Sequence, residues 1–142
     1  MKKTKQLLLP LCAALSLFGA SVTSHADAVV IVHPSNSSSL DDEQITKIFL
    51  GQTKTFAGGS EATPVDLKEG SALREDFGNK VLKKNPSQLK ALWARQIFTG
   101  GAKPPKELDG EDAVLKFVAS TPGAIGYVDA GKVNGTVKAV KR

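Results

Sequence analysis

The run AVVIVHP, from Ala28, constrains the fold of this chain more than any other stretch. Val29, Val30, Ile31 and Val32 follow one another without polar alternation until His33 and Pro34 end the run, the pattern of a strand buried on both faces. Such a strand needs a sheet with helices packed on each side. The segments that follow supply candidates for those helices.

NSSSLDDEQITKIFLG offers Ser39 as an N-cap with Asp42 three residues on, an apolar stripe of Ile45, Ile48 and Phe49, and Gly51 as the stop. TKTFAGGSEA reads as a turn-rich loop, and TPVDL as a short strand whose pairing Pro64 limits. Leu73, Phe77 and Val81 then recur every fourth residue and predict one helix over residues 71–84. Asn85 can cap a second helix with Pro86 at its first position, and this one carries Leu89, Leu92, Trp93 and Ile97 on one side, with Phe98 near its end. Trp93 could serve as a stacking platform, but its place in the stripe assigns it to the core. AKPPKELDG reads as a surface connection, with Asp109 capping a helix that carries Val114, Leu115, Phe117 and Val118. PGAIGYV is expected to be a turn and buried strand, and TVKAV an edge strand. Strands separated by helices in this order predict an α/β domain: a layered, largely parallel or mixed sheet flanked by helices.

The chain has 142 residues, and its start has the form of an export signal. Lys2, Lys3 and Lys5 precede LLLPLCAALSLFGASV, and Ser24 and Ala26 are the small residues expected before a cleavage site, so residues 1–26 are read as a signal peptide. The run is interrupted by Pro10 and is shorter than the roughly 20 apolar residues a membrane span needs. Cys12 follows Leu11 inside the run, which argues against lipidation. Residues 27–142 are then one exported domain without cysteine, held by packing alone. The net charge of +5 includes the three signal lysines, so the domain carries +2. That modest balance gives no electrostatic case for nucleic acid, and Lys138, Lys141 and Arg142 read as a solvated tail.

Little in this sequence supports catalysis or a cofactor. With His25 in the signal, His33 is the one histidine left, and it reads as a strand-end residue. A Ser-His-acid or Cys-His pair cannot be built without it, and Ser71 in EGSAL lacks the second glycine of a nucleophile elbow. Clustered histidines or thiolates for a metal are missing. The pairs Asp41–Asp42, Glu75–Asp76 and Glu111–Asp112 fall at expected helix starts, where carboxylates oppose the positive end of the dipole. The expectation is a protein that is not an enzyme and has neither metal nor cofactor.

STPGAIGYV, LDDEQITKIFLGQ and the Gly-Ser turn opening a helix after a short strand occur in an order that resembles phosphate ABC transporter substrate-binding proteins. LWARQIF and the later PP resemble the short, single-lobe branch of that family. The resemblance spans nearly all of residues 27–142 and implies a periplasmic domain with one lobe of a type II periplasmic binding fold. Function has to be argued separately from the site.

In the full-length family this lobe contributes an R-x-x-G-S-G-T stretch whose amides, hydroxyls and arginine hold phosphate. LKEGSAL occupies the stretch here: Gly70 and Ser71 match, Leu67 stands in place of the arginine, and Ala72 and Leu73 replace glycine and threonine. The resemblance therefore implies a weakened oxyanion half-site at Gly70, Ser71, Ala72 and Leu73, with Lys68 or Arg74 as the nearest cations. One lost charged hydrogen bond alone costs roughly 1.5–3 kcal/mol. Two functions follow from the resemblance. One is a phosphate or oxyanion carrier acting with ABC transporter membrane subunits. The other is a ligand-free accessory or sensory module acting on a second protein chain, and a further copy of this chain could also complete the site.

Overall fold

The computed structural model describes residues 26–140, and the expected signal peptide with its cleavage site, Lys141 and Arg142 lie wholly or partly outside them. The sheet is mixed and has five strands in the spatial order β3-β2-β4-β1-β5. Its strands are β1 (Ala28–Val32), β2 (Thr63–Leu67), β3 (Lys106–Leu108), β4 (Ala124–Asp129) and β5 (Lys138–Ala139). β1 lies between β4 and β5 and is antiparallel to both, while β2 is parallel to β3 and to β4. The apolar run from Ala28 therefore sits inside the sheet, and β5 takes the expected edge.

Helices cover both faces. α1 (Asp42–Phe49) and α2 (Ala72–Phe77) lie on one side, where Phe49 meets Phe77 edge-on at 4.8 Å and Phe77 stacks on Tyr127 at 4.1 Å. α4 (Glu111–Ser120) lies on the other and contributes Val114 and Val118 to the core. The approach of α4 to the sheet depends on Gly126, because a Cβ there would lie 2.8 Å from Val114 Cγ1 and 3.0 Å from Val65 Cγ2.

Several local expectations are corrected. α1 is capped by Asp41 rather than Ser39: Asp41 Oδ1 accepts the Gln44 amide at 2.8 Å, and Gln44 Oε1 accepts the Asp41 amide at 3.3 Å. This is a reciprocal box flanked by buried Leu40 and Ile45 at the two positions of a hydrophobic staple. The single helix expected over residues 71–84 divides into α2 and a π-helical turn, Gly78–Leu82, ended by Lys83 at φ 56°. The wider turn keeps Val81 and Leu82 buried while Lys84 folds back to donate its amide to the Gly78 carbonyl at 2.9 Å. Asp109 does not cap α4; Gly110 holds that position, and Asp109 pairs with Lys68 at 2.5 Å. The supposed surface connection AKPPKELDG contains β3, which extends the parallel side of the sheet.

The largest correction concerns α3 (Pro86–Phe98). Asn85 caps it in a reciprocal box with Gln88, and Pro86 opens it as expected. Yet none of its residues is fully buried: Leu89 and Leu92 pack partly buried against the core, Trp93 is partly buried, Ile97 is 61 % exposed and Phe98 is 92 % exposed. The helix lies along the end of α1, with Gln96 Nε2 donating to the Leu50 carbonyl at 3.0 Å. Gly51, at φ 72°, leaves room there for Ala102 and Trp93. A periodic stripe records that one face is apolar, not that a partner within the chain covers it. Among the described residues no helix is long and apolar enough to cross a membrane.

Candidate functional site

The candidate site lies where β2 runs into α2. Gly70 has φ 89°, a backbone region where a side chain would be strained, and a Cβ placed on it would meet nothing within 4 Å. The turn is thus open on its outer side. Ser71 caps α2: its Oγ accepts the Arg74 amide at 3.4 Å and its carbonyl accepts the Glu75 amide at 3.1 Å. The Ser71 amide is already used, donating to the Lys68 carbonyl at 3.2 Å. The amides of Ala72 and Leu73, first in the helix, have no intrahelical acceptor. With the Ser71 hydroxyl proton they form the free donor set of the turn.

Gly70, Ser71, Ala72 and Leu73 are therefore brought together, but only Ser71 contributes a polar side chain. Leu73 is buried in the core and Ala72 points no functional group anywhere. Leu67 is buried too, and strand alternation places it on the same face as Val65, opposite Asp66. Its leucine belongs to the packing of the sheet.

Both nearby cations are already paired. Lys68 binds Asp109, which raises the lysine pKa and lowers that of Asp109. Arg74 donates through Nη1 to the Leu67 carbonyl and to Glu107 Oε1, each at 2.8 Å, and its Nε lies 3.5 Å from Asp66 Oδ2. Burial pulls the Arg74 pKa down, but the hydrogen bond to Glu107 and the charges of Asp66 and Glu107 leave it above its usual value. Its Nη2 makes no hydrogen bond among the described residues. That nitrogen is the guanidinium donor left for a ligand.

Behind Arg74 lies a polar group that sequence reasoning missed. The Tyr127 hydroxyl donates to Asp66 Oδ1 and accepts the Leu67 amide at 3.3 Å. Burial raises the Asp66 pKa despite the Tyr127 hydrogen bond and the Arg74 charge, and burial together with Asp66 pushes the Tyr127 pKa far up. Glu107 was also missed, because it lies on the unrecognised β3. The pairing of Asp66 with Glu107 and Leu67 with Leu108 is foreshadowed by the acid–leucine pairs in VDLK and KELD.

A cavity of about 320 Å³ opens beside the turn. Glu69, Gly70, Arg74, Glu75 and Glu107 contribute from one side, and the apolar face of α3 with Leu89, Trp93 and Ile97 from the other. The remaining acidic pairs have structural duties. Asp76 accepts the Ala28 amide at 3.2 Å and pairs with Lys80 at 2.7 Å, and Glu111 accepts the Asp129 amide at 2.6 Å. His33 bonds within its own turn to Ser35. No cluster of three or more potential metal ligands occurs among the described residues.

No family model matches the chain, and no curated protein matches its sequence. Solved structures do match. A protein from Clostridium perfringens described as a phosphate ABC transporter substrate-binding protein, solved with bound phosphate, superposes with a TM-score of 0.63 at 20 % identity, over 82 % of this chain and 44 % of that one. An ABC-type phosphate transport receptor from Vibrio cholerae gives 0.64 at 17 % identity, over 82 % and 46 %. PstS from Borrelia burgdorferi gives 0.63 at 12 % identity, over 82 % and 47 %. The chain thus spans less than half the length of each. The likeness fixes the fold: a mixed α/β sheet flanked by helices, similar to a single lobe of phosphate ABC transporter substrate-binding proteins.

Proposed function

We propose that this chain is a periplasmic oxyanion-binding protein of phosphate ABC transport, exported by cleavage after Ala26 and acting by binding rather than catalysis. The observation that carries the reading is the donor set at the end of β2: the amides of Ala72 and Leu73, without an intrahelical acceptor, and the Ser71 hydroxyl, next to the open turn of Gly70 and beside a cavity that Gly70 and Arg74 line. The phosphate named with the Clostridium perfringens structure supports the choice of ligand class. The anion takes the two amides and the hydroxyl, and Arg74 Nη2 adds a charged donor while Nη1 stays on the Leu67 carbonyl. Neutralisation of Arg74 by Asp66 and Glu107, and the loss of the motif arginine to Leu67, make this site weaker than a fully formed one.

Calorimetric titration of the protein expressed from its full sequence with phosphate, sulfate and arsenate tests the reading. Saturable phosphate binding is expected, lowered about two- to thirteenfold by Ser71→Ala through loss of one hydroxyl donor worth about 0.5–1.5 kcal/mol. Absence of heat, together with an unshifted thermal unfolding transition at about 100 times a micromolar dissociation constant, would sink it, since such occupancy stabilises a protein by about 2.7 kcal/mol.

A second reading has its own observation. Lys68 and Arg74 are both engaged by carboxylates, and the end of α3 leaves Ile97 and Phe98 exposed. Those features favour an accessory or sensory module that kept the fold and acts through its surface on another protein. Recovery of a defined transporter subunit with the tagged protein, unchanged by Ser71→Ala, would favour this reading over the first.

A further inference from the structure

The longest helix of the described residues is also the one with the least cover. α3 has no buried residue, and Phe98 at its end is 92 % exposed beside Ile97 at 61 %. Large apolar side chains held on a rigid capped helix and open to water mark a contact surface. Next to them runs the 320 Å³ groove, floored by Leu89, Trp93 and Ile97.

Arg74 in this groove is paired with Glu107 and Asp66, and the lining charges outside ion pairs are separated by element. α3 contains Lys90 and Arg95 and no acidic residue, and Lys84 just before it also lines the groove. The opposite wall, from the β2–α2 turn and β3, presents Glu69, Glu75 and Glu107. Glu107 is paired with Arg74, whereas Glu69, Glu75, Lys84 and Lys90 enter no ion pair among the described residues. An apolar strip with a basic wall on one side and an acidic wall on the other is complementary to itself under a two-fold rotation. Residue i then meets residue j and j meets i. An anionic lipid surface would attract the basic wall and be repelled by the acidic one.

We propose that α3 and its groove form a two-fold interface between two copies of this chain. The Phe98 end of each α3 seats in the groove of the other copy, and Lys84 and Lys90 of one face Glu69 and Glu75 of the other. The inference does not rest on anion binding at Ser71. A protein that binds no phosphate can still show this dimer, and a monomer can still bind phosphate.

Sedimentation equilibrium of the protein expressed from its full sequence, run with and without phosphate, reads the state directly. A monomer–dimer equilibrium in the micromolar range is expected, as for small and partly polar interfaces, on the order of 1–100 µM. Phe98→Asp, at a position with no packing to lose inside the chain, should weaken dimerisation by at least tenfold. Lys90→Glu and Glu75→Lys should each weaken it about fivefold, and the double variant should recover most of the loss. A protein that stays monomeric up to about 200 µM, a dimer indifferent to Phe98→Asp, or a double variant no better than the singles overturns the proposal. Sedimentation of the monomer with vesicles containing phosphatidylglycerol, lost in Phe98→Asp, would overturn it in favour of a lipid surface.

Discussion

Tyr127→Phe isolates one hydroxyl in the middle of the core. The ring is kept, so its stacking on Phe77 at 4.1 Å and its contact with Phe49 are kept as well. What disappears is the donor to Asp66 Oδ1, while the Leu67 amide retains Asp66 Oδ1 as an acceptor at 2.9 Å. The loss therefore falls on the carboxylate, and a hydrogen bond to a charged group is worth about 1.5–3 kcal/mol. For a domain of this size that corresponds to a melting temperature lower by roughly 6–12 °C. The cost also depends on pH. Burial already raises the Asp66 pKa, so the folded protein holds that proton to higher pH than the unfolded chain. The associated stability is fully present below the ordinary value of 3.8 and is lost as pH rises through the folded value. Without Tyr127 the ionised carboxylate loses a donor and the pKa rises further, which deepens the loss at high pH. Thermal unfolding followed by circular dichroism at pH 4, 6 and 8 should show the gap between wild type and variant widening with pH. A constant gap, or a variant as stable as wild type at pH 8, would refute the assignment of Tyr127 as the donor that holds a buried carboxylate.

Glu107→Gln leaves Arg74 with one carboxylate fewer, and because Glu107 is half-exposed the gain is that of a surface pair, about 0.5–1 kcal/mol. Phosphate affinity measured by calorimetry should rise about two- to fivefold, and no change would remove Arg74 from the site. Gly126→Ala puts a methyl group 2.8 Å from Val114 Cγ1, so urea unfolding should report a loss of about 1–3 kcal/mol with an unchanged slope. Gly70→Ala meets no atom, so its cost is the strain of φ 89° alone, about 1–2 kcal/mol in the same assay.

The layered architecture was legible because burial on both faces leaves a plain mark, an unbroken β-branched run, and because Asn85-Pro86 and Ser71 are local signals that need no distant partner. Caps were less secure where several candidates stood together. In SSSLDD the choice fell to Asp41, the residue for which Gln44 could answer with its own side chain. β3 was invisible because three residues after two prolines carry no periodicity, and its strand character comes from the neighbouring β2. The site divides in the same way. Gly70 and Ser71 were readable from the turn they must make. The neutralisation of Arg74 was not, because Asp66 and Glu107 reach it from two strands and Tyr127 holds Asp66 from a third. The exposure of α3 was hidden for a related reason: amphipathic spacing is the same for a helix packed on its own core and for one awaiting another chain.

The pairing of the cations predicts how salt should act on binding. At an ordinary anion site the ligand is drawn in by unpaired positive charge, and added salt weakens it. Here Arg74 and Lys68 are matched by Glu107 and Asp109, while Glu69 and Glu75 on the same wall enter no ion pair among the described residues. The negative charge of Glu69 and Glu75 is offset across the groove by Lys84 and Lys90, so no net positive charge draws an oxyanion in, and the attraction comes from short-range donors, the amides of Ala72 and Leu73 and the Ser71 hydroxyl. Raising ionic strength from about 0.01 M to 0.15 M shortens the screening length from about 30 Å to 8 Å, which screens both signs alike and leaves hydrogen bonds made at contact. Phosphate affinity should hold steady over that range, whereas Glu69→Gln with Glu75→Gln, which leaves Lys84 and Lys90 unbalanced, should make it fall with salt. Titrations in sodium chloride at fixed pH decide the matter. An affinity that falls severalfold with salt would mean that Arg74 leaves Glu107 and meets the anion as a free charge, and the donor set would have to be redrawn around the guanidinium.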